Sequence, residues 1–265
     1  MPYLLVLVAF FSLLYHGVCH GQTQLKFCVE DSEYPPFNYQ QRNANYQSEL
    51  VGYDIDLLKR VFLAEKIAYE VVALPWRRCL KEVEQGFIDG AMSASLNERR
   101  QRLFIPSVPY YFLHPSYYYL KQAYPNGLPL EDVSRLLEFG PVCGISGFNY
   151  DNFGINHVEK IYRIKDLYLL PKMLAQKRCR FFLARSEVFS ATIAINGLHD
   201  LKQSLARQLI PNVPPEPFHL LVSPLSPNKD LILSLFNSKV TSLQSAGQLD
   251  RLLEYHLYII QQFEP

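Results

Sequence analysis

The sequence lacks nearly every local signature of catalysis. It has no Gly-x-Ser-x-Gly turn and no Cys-x-x-Cys pair, and "GISGFNYDNFG" lacks the Gly-Lys-Ser/Thr that closes a phosphate-binding loop. The seven histidines (His16, His20, His114, His157, His199, His219 and His256) are scattered without metal-ligand spacing. Hydrolase, zinc-enzyme and nucleotide-binding readings therefore find no support, and neither a cofactor nor a metal is expected. An excess of either charge is also missing: 26 Lys and Arg stand against 25 Asp and Glu, a formal net charge of +1. A phosphate-tracking surface carries a substantial basic excess, so nucleic acid is not an expected partner. Repeats and low-complexity tracts are absent as well.

Long apolar runs are confined to one place, Tyr3 to Tyr15, which is too short for the ~20 residues that span a bilayer. Small residues follow it (Gly17, Cys19, Gly21), so residues 1–21 read as a secretory signal peptide, although no Lys or Arg precedes the run. Cleavage after Cys19 or Gly21 fits equally, and His16 and Val18 suit lipid attachment at Cys19 poorly. An exported chain meets an oxidising compartment, where Cys28, Cys79, Cys143 and Cys179 are able to pair; four cysteines allow three pairings.

What is present is ample core material, with 49% hydrophobic and 14% aromatic residues in 265, enough for one large domain or two lobes. "LKFCVED" reads as a buried strand and "EYPPFNY" as a proline-fixed aromatic loop. In "GYDIDLLKRVFLAEK" Asp54 is a natural helix cap, with Ile55, Leu58, Val61 and Phe62 on one face. "AYEVVAL" is a second strand, "PWRRCLKEVEQG" a second helix ending at Gly86, and "FIDGAMSAS" a third strand. This order within ~65 residues is that of an open parallel sheet, which binds ligands at the carboxyl ends of its strands. A crossover over 112–122 leads into a second α/β unit, in which "FGPVCGISGFNY" reads as strand, Gly turn and helix. The chain ends in two helices separated near Gly247.

Several strings in this order resemble the family 3 extracellular solute-binding proteins: "EDSEYPPF", "GYDIDLL", the lone Trp76 with "QGFIDGAMSAS", "ERRQRLFIPSVPYY" and "GISGFNY". The resemblance covers nearly the whole mature chain and implies an α/β fold of two lobes, the periplasmic-binding-protein-like type II fold. Residues 22–113 plus 220–265 would form lobe one and 118–215 lobe two, with hinge strands at 114–117 and 216–219. It further implies a periplasmic, monomeric, non-enzymatic protein that closes on a small polar or anionic solute, an amino acid or a carboxylate. The solute would then be presented to an inner-membrane permease of the ABC-transporter type or to a sensor. The competing reading is a periplasmic enzyme on the same fold, dehydratase-like, with Asp31 or Glu98 as the proton donor.

Carried over residue by residue, the resemblance puts Asp31, Tyr34, Phe37 and Tyr53 at the first binding loop and its aromatic wall, with Trp76 packed beneath the loop or facing the cleft. Ser93 and Ser95 would offer donors, followed by an arginine that grips a carboxylate. Reading from "PSVPYY" selects Arg100 for that role and reading from "NER" selects Arg99; Arg102 is a surface charge. In lobe two, Ser146, Gly147 and Phe148 match a Gly-Ser turn at a helix N-terminus, with Tyr150 closing over it. The chain departs from the family pattern at "RCRFFLAR", where Arg180 and Arg185 stand near positions that are usually acidic. Arg185 then suits a dicarboxylate or other anion, unless it pairs with a surface carboxylate or Asp31 or Glu187 supplies the missing acid. By lobe, the cysteines fall into Cys28 with Cys79 and Cys143 with Cys179; four free buried thiols are the alternative.

Overall fold

The computed structural model describes residues 24–41 and 49–262, so the expected signal peptide, with Cys19, lies outside the described residues. In chain order the elements are β1 (Leu25–Glu30), β2 (Tyr39–Gln40), β3 (Leu50–Val51), α1 (Tyr53–Leu58), β4 (Tyr69–Leu74), α2 (Trp76–Glu84), β5 (Gly90–Ser95), α3 (Glu98–Leu103), β6 (Ile105–Pro106) and β7 (Tyr111–Leu113). There follow β8 (Pro115–Leu120), α4 (Leu136–Phe139), β9 (Val142–Ile145), β10 (Tyr162–Ile164), α5 (Leu170–Ala175), β11 (Phe181–Arg185), α6 (Ser186–Ile195), α7 (His199–Ser204), β12 (Leu205–Leu209), β13 (Glu216–Val222), α8 (Lys229–Ser245) and α9 (Gln248–Gln261).

Two sheets organise them. The first has the order β4-β1-β5-β13-β6, with β7 also pairing β13, and the second the order β10-β9-β11-β8-β12. Each repeats one plan: the leading strand (β1 or β9) lies parallel between its two successors. A strand from elsewhere in the chain (β13 or β8) then adds antiparallel beside the third. The chain passes from the first sheet to the second at His114 and returns through 210–215. Of the expected hinge residues, 115–117 belong to β8 and 216–219 to β13.

Near-continuous apolar strands demand cover on both faces, and both sheets receive it. One face of the first sheet packs Phe27, Val29 and Met92 against Leu57, Phe62, Phe236 and Val240; the other packs Cys28, Ala91 and Leu221 against Trp76, Cys79 and Val83. In α2 these last three recur at i, i+3 and i+7, one helical face. The second sheet is covered likewise by two clusters, around Phe181 with Leu183 and around Phe182 with Phe189. Each fully buried ring contributes about 1.5–3 kcal/mol. Disulfides join Cys28 to Cys79 and Cys143 to Cys179, the within-lobe pairing.

Asp54 is not the cap expected of it. Gly52 holds that position at φ 131°, and a Cβ there would lie 2.3 Å from the Phe37 carbonyl oxygen, so only glycine fits. Asp54 is instead buried inside α1 and accepts hydrogen bonds from Ser93 Oγ (2.5 Å), Tyr110 Oη (2.9 Å) and Asn38 Nδ2 (3.4 Å). Burial pushes its carboxyl up to about 7, against the pull of those three donors.

Candidate functional site between the two sheets

The carboxyl ends of β1 and β5 face the loop after β9, and a small cavity of about 30 Å³ lies between them. Its first-lobe wall is Glu30, Tyr34, Asn38, Trp76, Ser93, Ser95, Arg100 and Phe218; its second-lobe wall is Phe148, Asn149 and Arg185.

The arginine cluster sorts itself by helical phase. Asn97 caps α3, its Oδ1 accepting from the Arg100 N–H at 2.9 Å, and successive side chains then point ~100° apart. Arg100 turns inward and is buried, whereas Arg99 and Arg102 stay exposed, Arg102 pairing with Glu98 at 3.4 Å. Arg100 Nη1 donates to the Ser95 carbonyl at 2.7 Å, and its guanidinium lies 5.6 Å from the Trp76 ring centroid. Burial, followed by the nearby Arg185 charge, holds Arg100 down at about 10. The side chain remains a cation at neutral pH, and among the described residues no carboxylate pairs with it.

Arg185 stands differently. Its Nε and Nη2 both reach Glu216 Oε2, at 2.7 and 2.6 Å, and Nη2 also donates to the Asn149 carbonyl at 2.7 Å. Both partners are buried, and the guanidinium lies 4.9 Å from the Phe153 ring centroid and 5.4 Å from that of Phe218. Burial opposes the charge, yet the Glu216 carboxylate holds Arg185 above its ordinary value. The expected second anion clamp is therefore already neutralised. The missing acid is neither Asp31 nor Glu187, which bonds the His114 ring, but Glu216 on the returning strand.

Other expected residues divide between cavity and core. Tyr34, Trp76, Ser93, Ser95 and Phe148 line the cavity, with Tyr34 meeting Phe148 edge-on across the lobes at 5.6 Å. Ser93 sits at φ 57° with its hydroxyl given to Asp54. Phe37 and Tyr53 do not line the cavity: Phe37 stacks on Tyr111 at 3.8 Å in the first core, and the Tyr53 hydroxyl donates to the Tyr110 carbonyl. Asp31 is exposed, because side chains alternate along a strand and β1 ends at Glu30, which faces the cavity in its place. Burial pushes the Glu30 carboxyl up to about 7, partly opposed by the Ser32 N–H and reinforced by Asp31. Glu98, the other candidate acid, is exposed.

No α-helix begins at the Gly-Ser turn, so the expected dipole is missing; only a 3-10 turn follows, at Asp151–Phe153. Ser146 is exposed with its N–H bonded to the Ile164 carbonyl, and Gly147 lines the wider mouth of the cleft. Tyr150 is buried, its hydroxyl accepting from the Ile145 N–H at 2.6 Å, so it belongs to the second core instead of acting as a lid.

Sequence reasoning missed Glu30, Asn38, Asn149 and Phe218. Asn38 is almost fully buried, and its Oδ1 has no partner, leaving an acceptor at the cavity wall. Asn149 joins the lobes, its Nδ2 donating to Ser95 Oγ at 3.2 Å and to the Leu96 carbonyl at 3.1 Å. Asn97 Nδ2 reaches Asp151 Oδ2 at 2.9 Å, and Asn152 Nδ2 bonds both the Leu96 carbonyl (2.9 Å) and Glu216 Oε1 (2.8 Å). The lobes are thus in direct hydrogen-bonded contact over the cavity. Among the described residues no group of three or more His, Cys, Asp or Glu side chains could hold a metal, and no helix is long and apolar enough to cross a membrane.

A model of the bacterial extracellular solute-binding proteins, family 3, matches residues 25–258. No curated protein matches the chain. Among solved structures, an amino acid ABC transporter substrate-binding protein from Streptococcus pneumoniae bound to L-arginine is similar with a TM-score of 0.70 and 17% identity, over 89% of this chain and 95% of that one. An ABC uptake transporter substrate-binding protein from the same species, with bound histidine, gives 0.68 and 14% over 88% and 91%. The arginine-, lysine-, histidine-binding protein of Geobacillus stearothermophilus gives 0.66 and 13% over 88% and 94%. At these identities the likeness is one of fold.

Proposed function

Because the chain belongs to the bacterial extracellular solute-binding proteins, family 3, we propose that its cavity captures a small polar solute through a carboxylate held by Arg100 and a donor group held by Asn38 and Glu30. The observation that carries this reading is Arg100 itself, a buried guanidinium in the cavity wall with no carboxylate of its own. A planar fork suits a carboxylate, and Tyr34, Trp76, Phe148 and Phe218 supply apolar area around the solute's body. With Arg185 neutralised by Glu216, the inner cavity offers one unpaired cation, which fits an α-amino acid better than it fits a solute needing two inner cations. The similar proteins that hold arginine or histidine support the amino-acid class.

Arg100 belongs to the first lobe and Asn149 to the second, so binding and closure are coupled, the lobes turning about the crossings at 114 and 210–215. The closed form then presents the solute to a membrane permease, in the periplasm or outside the cell, without chemical turnover. The test is thermal-shift screening against amino acids and carboxylates, followed by calorimetry of each hit with wild type and Arg100→Ala. Hits lost in the variant and recovered chemically intact are expected. Hits that survive Arg100→Ala, or are converted to product, overturn the reading.

A further inference from the structure

The inner cavity does not use all of the arginine cluster. Outward from Arg100 it widens into a mouth of about 630 Å³ formed by both lobes, with Arg77, Lys81 and Arg99 on the first-lobe side and Arg163 on the second. Two carboxylates share this lining, Glu84 and Asp151, and Asp151 already accepts from Asn97. Among the described residues neither Arg77 nor Arg99 has a carboxylate within ion-pair distance. In a chain of net charge +1 such a concentration of one sign is local to the cleft.

Two features place Arg77 and Arg163 on the two rims of this mouth, both side chains exposed to it. A Cβ placed on Gly147 of the second lobe would lie 3.9 Å from the stem of Arg77. Arg163 is held in place by stacking on Tyr150, its guanidinium 4.4 Å from the ring centroid. Partial shielding from water first, with the Arg77 charge adding to it, keeps the exposed Arg163 below its ordinary value despite the opposing pull of Tyr150 and Asp151. Like charges brought together by closure disfavour the closed form unless an anion lies between them.

We propose that the mouth is a second anion subsite, in which Arg77 and Arg99 from one lobe and Arg163 from the other bind an oxyanion, carboxylate or phosphate, so that closure favours a solute carrying a second acidic group. This rests on the reading of Arg100 as the inner carboxylate grip. It separates this cleft from one built for a cationic side chain, which would meet like charge on leaving the inner cavity. The same oxyanion chemistry could come from the solute itself or from a free anion seated beside it.

The test uses matched pairs that differ by one anionic group, L-glutamate with L-glutamine, L-aspartate with L-asparagine and O-phospho-L-serine with L-serine, together with inorganic phosphate alone. Binding to the whole protein is measured by calorimetry at low and high salt. At least one acidic member is expected to bind tenfold or more tightly than its neutral partner, with the advantage lost in Arg77→Gln with Arg163→Gln and partly kept in Arg77→Lys with Arg163→Lys. Phosphate that binds alone, survives Arg100→Ala and is lost in the double Gln variant supports a free anion as the source. An acidic preference with no binding of phosphate alone supports the solute's own second acid. Equal binding within every pair and no binding of phosphate overturns the proposal, as does a preference unchanged in the double Gln variant. Loss of both members of a pair in Arg100→Ala supports the inner grip, and retention of both defeats the inner grip alone, so the two failures are told apart. Unliganded melting temperatures of the variants verify folding.

Discussion

The two arginines at the heart of the cleft, one from each lobe, carry the same charge and a similar degree of burial, yet only one is free to act on a solute. Arg100 spends a donor on the Ser95 carbonyl and keeps its charge unpaired, while Arg185 is neutralised by Glu216 and bonded to the Asn149 carbonyl. A buried arginine clamps a ligand only where the fold has not already supplied its counter-ion. Here the counter-ion of Arg185 comes from a strand of the opposite sheet, so the pair also ties the two sheets together.

The sharpest way to break this contrast is Glu216→Ala, which leaves Arg185 buried without its partner. It is expected to cost about 3–5 kcal/mol of stability, read by urea unfolding, while Glu216→Gln, which keeps the bond to Asn152, costs less. The opposite outcome, an unchanged midpoint, would mean that Arg185 finds water on its own. Next comes Arg100→Ala, with a loss of about 2 kcal/mol or more in solute affinity and little change in unfolding; Arg99→Ala should leave the inner carboxylate's contribution in place.

How far these roles were legible in the sequence follows from the same pair. The α/β order, the inward face of α1 and the within-lobe cysteine pairs could be read, because each rests on local periodicity or on the family pattern. The choice between Arg99 and Arg100 could not, since it turns on where α3 is capped, one residue of phase. The Arg185–Glu216 pair was out of reach, its partners being 31 residues apart with a change of sheet between them. Ordinary strand alternation would have pointed to Glu30 over Asp31, had the end of β1 been placed one residue earlier. The Gly-Ser turn misled because the turn is present and the helix that should follow it is not.

A smaller effect sharpens the comparison through pH. The folded carboxyl of Glu30 titrates near 7, above its ordinary 4.5. The folded state therefore binds more protons than the unfolded chain between those values, and stability falls as pH rises from about 4.5 through 7. Glu30→Gln should shrink that fall by on the order of 1–2 kcal/mol, measured by unfolding at pH 4.5 and 8; an unaltered fall would place the titration elsewhere. Smallest of all is Ser146→Ala, expected to shift solute affinity by less than ~0.5 kcal/mol, since the side chain is exposed and its backbone donor is already bonded.

The place of β13 in the first sheet also sets an order of assembly. It enters from residues 216–222 between β5 and β6, so that sheet stays split until the last quarter of the chain arrives. The second sheet draws all five strands from one unbroken stretch, residues 115–209, together with its own disulfide. As the polypeptide emerges from its start, the second lobe can be completed and oxidised while the first still holds an open edge. The first lobe begins the chain and is the last to be finished.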